Sequence, residues 1–231
     1  MSTTLQNLID AIEADLADSG NATWSAADIE QWCRDAIADY SPHFPRTLTE
    51  TVATSAGDRK YDLPAGFIEV LTVEYPAGQD PPEYLARRPH DHPQFWIDSG
   101  YFDIVERDDD TDSNELWISE KPAGGESIDV LYHAIHLQDS ANLTTSDNLT
   151  VPERHHYLLK KYVIWQAADQ LKAAEQADPT SNSSLLMSQL AVNVDRARRA
   201  YIDALAKAVF GRSKSAAVSW NDQAAETRRI Y

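Results

Sequence analysis

Residues 115–134, ELWISEKPAGGESIDVLYHA, contain two runs in which apolar and polar side chains alternate. The runs are ELWISE at 115–120 and SIDVLYH at 127–133, and a turn-forming Pro and Gly-Gly sequence separates them. Alternation with a period of two is typical of a strand that buries one face and exposes the other. The stretch therefore predicts a β-hairpin, and it sets the fold class of the middle of the chain.

Other runs with the same period precede this hairpin. They are TLTETVAT at 47–54, FIEVLTVEY at 67–75 and YFDIVE at 101–106. Turns rich in Gly, Pro and Asp separate these runs, and no segment of helical length intervenes that could cross over between parallel strands. Residues 47–138 are therefore predicted to form an inserted antiparallel β module.

Helical periodicity precedes the module. One apolar helical face consists of Leu5, Leu8, Ile9, Ile12 and Leu16. A second helix is predicted to begin at Ser25, which can form a capping box with Asp28. It ends before SPHFP at 41–45, because proline removes a donor and disfavours helix at the preceding residue. Residues 1–46 are thus predicted to be an N-terminal helical pair.

Helical periodicity returns after the module, at TVPERHHYLLKKYVIWQAADQLKAAEQ. Thr150 and Glu153 are positioned for a capping box at its start. A fourth helix follows the DPTSNSS break, and its apolar stripe runs to Val209, with Gly211 as the predicted C-cap. Residues 139–210 are therefore expected to be two long helices that complete the helical core.

The predicted fold class is α+β. It is a four-helix-type bundle with two N-terminal and two long C-terminal helices, an inserted antiparallel β module, and an extended C-terminal tail at 211–231. Trp32 of the second helix and Trp165 of the third lie on apolar faces, so both are expected in one helical core.

The composition indicates a globular protein with a large negative charge. The chain of 231 residues is 42% hydrophobic and has a formal net charge of −17, with 24 Asp and 13 Glu against 13 Arg and 7 Lys. Such a surface repels free nucleic acid. A composition rich in Asp and poor in Lys also suits concentrated salt, so a halophilic source is a hypothesis. Equal solubility and stability with and without molar salt would contradict it.

The charge is divided along the chain. Residues 196–231 carry a net charge of +5, and residues 1–195 carry −22. Cys33 is the only cysteine, which excludes an intrachain disulfide and favours a small buried side chain. The apolar stretches are short and interrupted by charge, so neither a membrane span nor a signal peptide is expected.

Two groups of residues suggest a metal, and both patterns fail. Asp108, Asp110 and Asp112 alternate as in a calcium loop, but Ser113 and Ser119 stand where that loop needs Gly and Glu. A solvated hairpin loop is the preferred interpretation. The histidine pairs, His90 with His92 and His155 with His156, lack the spacing of a helical zinc motif. A metal site assembled across the fold stays open.

Five phrases in a fixed order carry a resemblance to a known family. They are SPHFP after two helices, YDLPAGFIEVLTVEY, PQFWIDSGYFDIV, ELWISEKPAGGESIDVLYHA and NLTTSDNLTVPERHHYLLKKYVIWQAADQ. On these phrases, which span most of the chain, the sequence resembles a head-to-tail adaptor, or connector, of tailed bacteriophages and related archaeal tailed viruses. It departs from the family at WCRDAIADYS, where an Asn-containing phrase is common.

The resemblance implies a structural protein of the virion neck and not an enzyme. It implies a dodecameric ring that docks under the portal protein, extends the DNA channel and provides the platform for the tail or stopper protein. Genomic DNA would pass through without sequence-specific binding. No cofactor and no membrane contact are expected. The protein would be made in the host cytoplasm and reside at the head-tail interface of the virion.

The resemblance also implies a role for the C-terminal tail. Residues 211–231 contain too few apolar side chains to fold alone, and in the resembled family the C-terminal extension docks on the portal. The expected portal-binding residues are Arg212, Lys214, Val218, Trp220, Arg228, Arg229, Ile230 and Tyr231.

Two other functions stay open at this point. One is a tail-completion or stopper-type ring protein, and the other is a hydrolase built on the β module. The sequence lacks the Gly-rich phosphate-binding and nucleophile-elbow motifs of common enzyme classes, which argues against the hydrolase.

Replacement of Asp108, Asp109, Asp110 and Asp112 by Ser and Asn is expected to leave folding intact, because a solvated loop tip contributes little to stability. Circular dichroism and a calcium titration of both proteins check this. Stoichiometric calcium binding tighter than about 10 μM by the parent chain would contradict the loop interpretation.

Overall fold

The computed structural model describes residues 3–18, 23–64, 66–106, 114–136, 148–177 and 184–227. It confirms the α+β fold class, with helices and strands in the predicted order. The chain divides into two compact units. The helical unit contains residues 1–44 and 142–231, and the β unit contains residues 45–141.

The helical unit contains four helices. They are α1 at Leu5–Asp15, α2 at Ala26–Tyr40, α3 at His156–Ala177 and α4 at Ser184–Thr227. Thr4 caps α1 by accepting from the Asn7 amide. The predicted capping box of α2 is confirmed, since Ser25 and Asp28 exchange both hydrogen bonds. The helix α2 ends at Tyr40, just before the Pro-containing SPHFP segment.

The core of the helical unit is apolar and draws on helices from both ends of the chain. Its buried side chains include Leu5, Leu8, Ile12, Ile29, Cys33, Ile37, Leu158, Leu159 and Val163. Trp32 and Trp165 were expected in this core, but each is only partly buried. Trp165 instead stacks on Tyr201 of α4, with ring centroids 6.2 Å apart. The smaller branched side chains fill the centre, and the bulkier indoles lie at its margin.

The predicted start of α3 and the predicted end of α4 are corrected by the structure. A 3-10 turn over Glu153–His155, with Pro152 as its N-cap and no side-chain cap, precedes α3, so α3 begins at His156 and not directly after Thr150. Gly211 is not a C-cap, and the backbone is helical through Thr227. A glycine inside a helix costs only about 1 kcal/mol, and the Ala-rich sequence that follows favours continuation.

The β unit contains seven strands in two sheets. The strands are β1 at Arg46–Ala53, β2 at Lys60–Asp62, β3 at Phe67–Glu74, β4 at Ala86–Arg87, β5 at Tyr101–Glu106, β6 at Asn114–Ile118 and β7 at Ser127–Ala134. The sheet orders are β1-β7-β3 and β2-β6-β5-β4. The five strands predicted from alternation are all present. The hairpin predicted for residues 115–134 is wrong, because β6 and β7 belong to different sheets and each pairs with other strands. The short strands β2 and β4 were not predicted.

One strand pair departs from the predicted antiparallel arrangement. The strand β4 runs parallel to β5, with Ala86 opposite Tyr101 and Arg87 opposite Phe102. A parallel pair needs a connection long enough to bring the chain back to the same end. Residues 88–100, which include a 3-10 turn at Pro93–Trp96, provide that connection.

The two sheets share one apolar core. The inward side chains of β7 are Ile128, Val130, Tyr132 and Ala134, and all four are buried. They belong to the same cluster as Leu116 and Ile118 of β6 and Phe102 of β5. Because side chains alternate between the faces of a strand, the alternation seen in the sequence decides which residues enter this core.

The YDLP motif at 61–64 ends the pairing of β2. Tyr61 is buried and donates from its hydroxyl to the Asp58 carbonyl oxygen at 2.9 Å. The Leu63 amide donates the last hydrogen bond to Asn114, also at 2.9 Å. Pro64 has no N–H to continue the ladder, so the chain leaves the sheet and turns toward β3.

Replacement of Leu116 by Ala is expected to lower the free energy of unfolding by about 2–5 kcal/mol, because the fully buried side chain leaves a cavity between the sheets. Urea unfolding followed by circular dichroism measures this change. The matched control is Leu71→Ala, whose side chain is exposed, and its cost should stay below about 1 kcal/mol. Equal costs at the two positions would show that the buried face is misassigned.

An aromatic cluster joins the end of α2 to the start of α3. The Tyr40 hydroxyl lies 2.5 Å from His155 Nδ1. Phe44 stacks on Tyr40 at 5.0 Å between centroids and lies 4.8 Å from the His155 ring. Burial lowers the pKa of His155 below 6.5, and the positive charge of Arg154 and the neighbouring His156 add to this shift. The cluster therefore favours neutral His155.

The helical unit is expected to lose stability as the pH falls below about 6.5, the ordinary pKa of histidine. The folded-state pKa of His155 is depressed, so the unfolded chain binds the proton more readily, and stability present above about 6.5 is lost below it. Thermal unfolding at several pH values measures this, and His155→Gln should flatten the dependence. The control His43→Gln removes an exposed histidine and should leave the dependence unchanged.

Candidate partner-binding surfaces

The predicted portal-binding residues divide into two groups. Arg212, Lys214, Val218 and Trp220 lie in the C-terminal part of α4, where the backbone is helical. Arg228, Arg229, Ile230 and Tyr231 fall outside the described residues. The first group is therefore carried on a helix and not on an extended strand of chain.

The helix α4 is twice as long as α3. Its 44 residues span about 66 Å, and the 22 residues of α3 span about 33 Å. The two helices pack together, with Tyr162 and Trp165 of α3 against Tyr201 of α4. At these lengths α3 can flank only about half of α4.

The helix α4 is apolar on two sides. Val194 and Tyr201, seven residues apart, are buried on the side that faces the rest of the unit. Val192 and Phe210 each lie nine residues from Tyr201, about two and a half turns, so they occupy the opposite side. They are 55% and 66% exposed. We call this opposite side, with Val192, Arg199 and Phe210, the outer side of α4.

Sequence reasoning missed the outer side of α4. It identified a single apolar stripe from Leu186 to Val209, and the structure places Val194 and Tyr201 of that stripe in the core. Val192, Ile202 and Phe210 do not fit the spacing of three and four residues that defines the stripe. Large apolar residues outside the stripe of an amphipathic helix are the signal that could have revealed it.

Opposite charges are concentrated in different parts of the helical unit. Residues 1–44 contain eight Asp and Glu but only one basic residue, Arg34. Residues 196–231 carry a net charge of +5, and most of them lie in α4. Tyr201 joins the two parts, since its hydroxyl hydrogen-bonds to Asp39 of α2. Burial, and then the Asp39 carboxylate, raise the pKa of Tyr201, so it stays a protonated donor.

Two of the histidines considered as metal ligands have side-chain partners, and the cysteine is buried. His90 Nδ1 lies 2.8 Å from Asp103, and His155 lies against Tyr40. Cys33 is buried, and burial raises the pKa of its thiol to about 12. Among the described residues no group of three or more His, Cys, Asp or Glu could hold a metal ion. The aspartates at 108–112 lie outside the described residues.

Within the described ranges, none of the helices combines the length and apolar character needed to cross a membrane.

Comparison with known proteins assigns the chain to a family. A search of curated protein sequences found no match. The family model described as SU10 adaptor protein matches residues 3–225, which cover both units and nearly all of α4. This extent agrees with the adaptor resemblance carried by the five sequence phrases. The chain therefore belongs to the SU10 adaptor protein family, and it is a structural adaptor of the virion neck of a tailed virus.

Proposed function

We propose that this adaptor assembles into a ring that docks under the portal, extends the DNA channel and provides the platform for the tail or stopper protein. The observation that carries the proposal is α4, whose outer side exposes Val192 and Phe210 although the opposite side is already packed. Exposed apolar side chains on a long helix favour burial against another protein. For an adaptor, the proteins that could cover this surface are a neighbouring subunit of the ring and the portal.

Ring closure explains why one subunit needs two different surfaces. In a cyclic assembly with heterologous contacts, one face of a subunit meets a different face of the next. The outer side of α4 is the apolar candidate for one of these faces, and the acidic helices α1 and α2 are candidates for the other. Arg199 on the outer side would then meet carboxylates of the neighbour. The dodecameric number is taken from the family resemblance.

Portal docking is assigned to the chain after Phe210. This part carries Arg212, Lys214, Arg228 and Arg229 on an otherwise acidic protein, together with the aromatic residues Trp220 and Tyr231. Basic residues complement an acidic partner surface, and large aromatic side chains are common anchors in pockets. Because α4 remains helical through Thr227, docking would use a helix in a groove for much of this length.

The net charge of −17 fits the passage of DNA. A negatively charged channel repels phosphate, so it offers few of the backbone contacts that hold DNA in nucleic-acid-binding proteins. DNA would therefore slide through the ring without sequence-specific binding.

Truncation after Gly211 is expected to leave the thermal stability of the folded chain nearly unchanged, because the buried side chains that the structure describes all precede this residue. Attachment to purified portal rings should weaken by at least about tenfold, which corresponds to about 1.4 kcal/mol. Co-sedimentation with portal rings measures attachment. Undiminished attachment of the truncated chain would contradict the docking role.

A milder pair of variants controls for loss of helix. Arg212→Gln with Lys214→Gln removes two charges from the proposed docking segment, and Lys207→Gln removes an exposed charge from α4 before that segment. Only the first variant should weaken attachment. Electron microscopy of chain and portal together separates the alternatives, since an adaptor ring lies directly on the portal and a stopper ring lies below another neck protein.

A further inference from the structure

The four-stranded sheet has an outer face that carries aromatic and basic side chains. In β6, Leu116 and Ile118 point into the core, so Trp117 points to the opposite face. Strand register places Lys60 of β2 on one side of Trp117 and Asp103 of β5 on the other. These three side chains therefore form one row across the outer face.

The connection between β4 and β5 covers part of this row. The His90 ring contacts Trp117, with centroids 4.6 Å apart, and the Trp96 ring lies 5.9 Å from it. Asp103 holds His90 in place, since it accepts from the His90 backbone amide at 2.8 Å. Phe95 is fully buried and anchors the 3-10 turn beneath Trp96. The two indoles are thus fixed by packing.

Two cations lie on the indole rings. Lys60 Nζ is 4.0 Å from the centroid of Trp117, and Arg59 Cζ is 5.1 Å from that of Trp96. Such contacts hold a positive charge in place without neutralising it. We refer to Arg59, Lys60, His90, Trp96 and Trp117 as the indole-cation patch.

The cations of the patch lack carboxylate partners. In the part of the chain that the structure describes, no Asp or Glu oxygen forms a salt bridge with Arg59 or Lys60, and Arg59 Nε is buried without a hydrogen-bond partner. Elsewhere the same chain pairs Arg34 with Glu30 at 2.5 Å and Lys160 with Asp15 at 2.9 Å. Within the same patch His90 pairs with Asp103, and Trp117 Nε1 donates to Glu115 at 2.8 Å. Among the described residues, Arg59 and Lys60 are therefore the charged side chains of the patch that no salt bridge neutralises.

Apolar surface lies beside the unpaired cations. Trp96 is 40% exposed and the adjacent Ile97 is 79% exposed. Aromatic side chains and arginine are enriched at protein interfaces, where the apolar part excludes water and the guanidinium binds carboxylates. The patch thus offers both components that an acidic protein segment needs for docking.

Nucleic acid is a poorer occupant of the same surface. Base binding needs free aromatic faces for stacking, and in both indoles a cation already covers the ring. We infer that the indole-cation patch is a docking site for a carboxylate-rich segment of another protein. The patch belongs to the β unit, so this inference does not depend on portal docking through α4.

The test is isothermal titration calorimetry of the full chain with a decaglutamate peptide, with a single-stranded dT decamer as the second probe. Saturable peptide binding is expected, and Arg59→Gln with Lys60→Gln should weaken it by at least tenfold. This variant removes both charges, shortens the two side chains and keeps both indoles. The control Lys121→Gln removes an exposed charge from the same unit outside the patch and should bind like the parent chain.

Several outcomes would overturn the assignment. They are no saturable binding of the peptide, an equal loss in Lys121→Gln, or tighter binding of the dT decamer than of the peptide. Sedimentation that showed self-association, lost only in the patch variant, would reassign the surface to a second copy of the chain. If the double variant misfolds by circular dichroism, Lys60→Gln alone decides, because this exposed side chain can be shortened without disturbing the core.

Discussion

Burial of α2 against α3 is the interaction on which the helical unit depends, and a hydrogen bond from Tyr201 of α4 to Asp39 of α2 supplements it. Its partners are remote in sequence: Tyr40 and His155 are separated by 115 positions, and Asp39 and Tyr201 by 162. The helices α1 and α2 alone could not bury their apolar faces, so the unit forms only when both ends of the chain meet. The β unit is inserted between these two ends, so bringing them together has the entropic cost of closing a long loop. Burial of the shared core must offset that cost.

The periodicity of the sequence predicted much of this architecture, for a physical reason. Strands such as β7 bury one face, so buried residues recur at every second position. In β7 these residues are Ile128, Val130 and Tyr132, and their alternation is visible in the sequence. The strands β2 and β4 have three and two residues, too few to show a period. The end of α4 was missed because Gly211 resembles a C-cap locally, while the helix-forming sequence beyond it decides the outcome.

The candidate surfaces were harder to predict than the fold. Basic residues in the C-terminal part of α4 were visible as a change of charge along the chain, which needs no tertiary information. The indole-cation patch was invisible, because Lys60, Trp96 and Trp117 are brought together by strand register and by the loop before β5. Sequence reveals a surface when its residues are contiguous, and only structure reveals one assembled from three separate segments.

The buried thiol of Cys33 has a practical consequence for following assembly. It is the only cysteine of the chain, and it lies on α2 in the core of the helical unit. Burial keeps its thiol protonated at neutral pH. Since the thiolate is the reactive form, maleimide reagents should not modify the native protein. A single cysteine introduced on the surface would then carry a fluorophore or a spin label at one defined position, without removal of the native residue, and ring formation could be followed by distances between neighbouring labels.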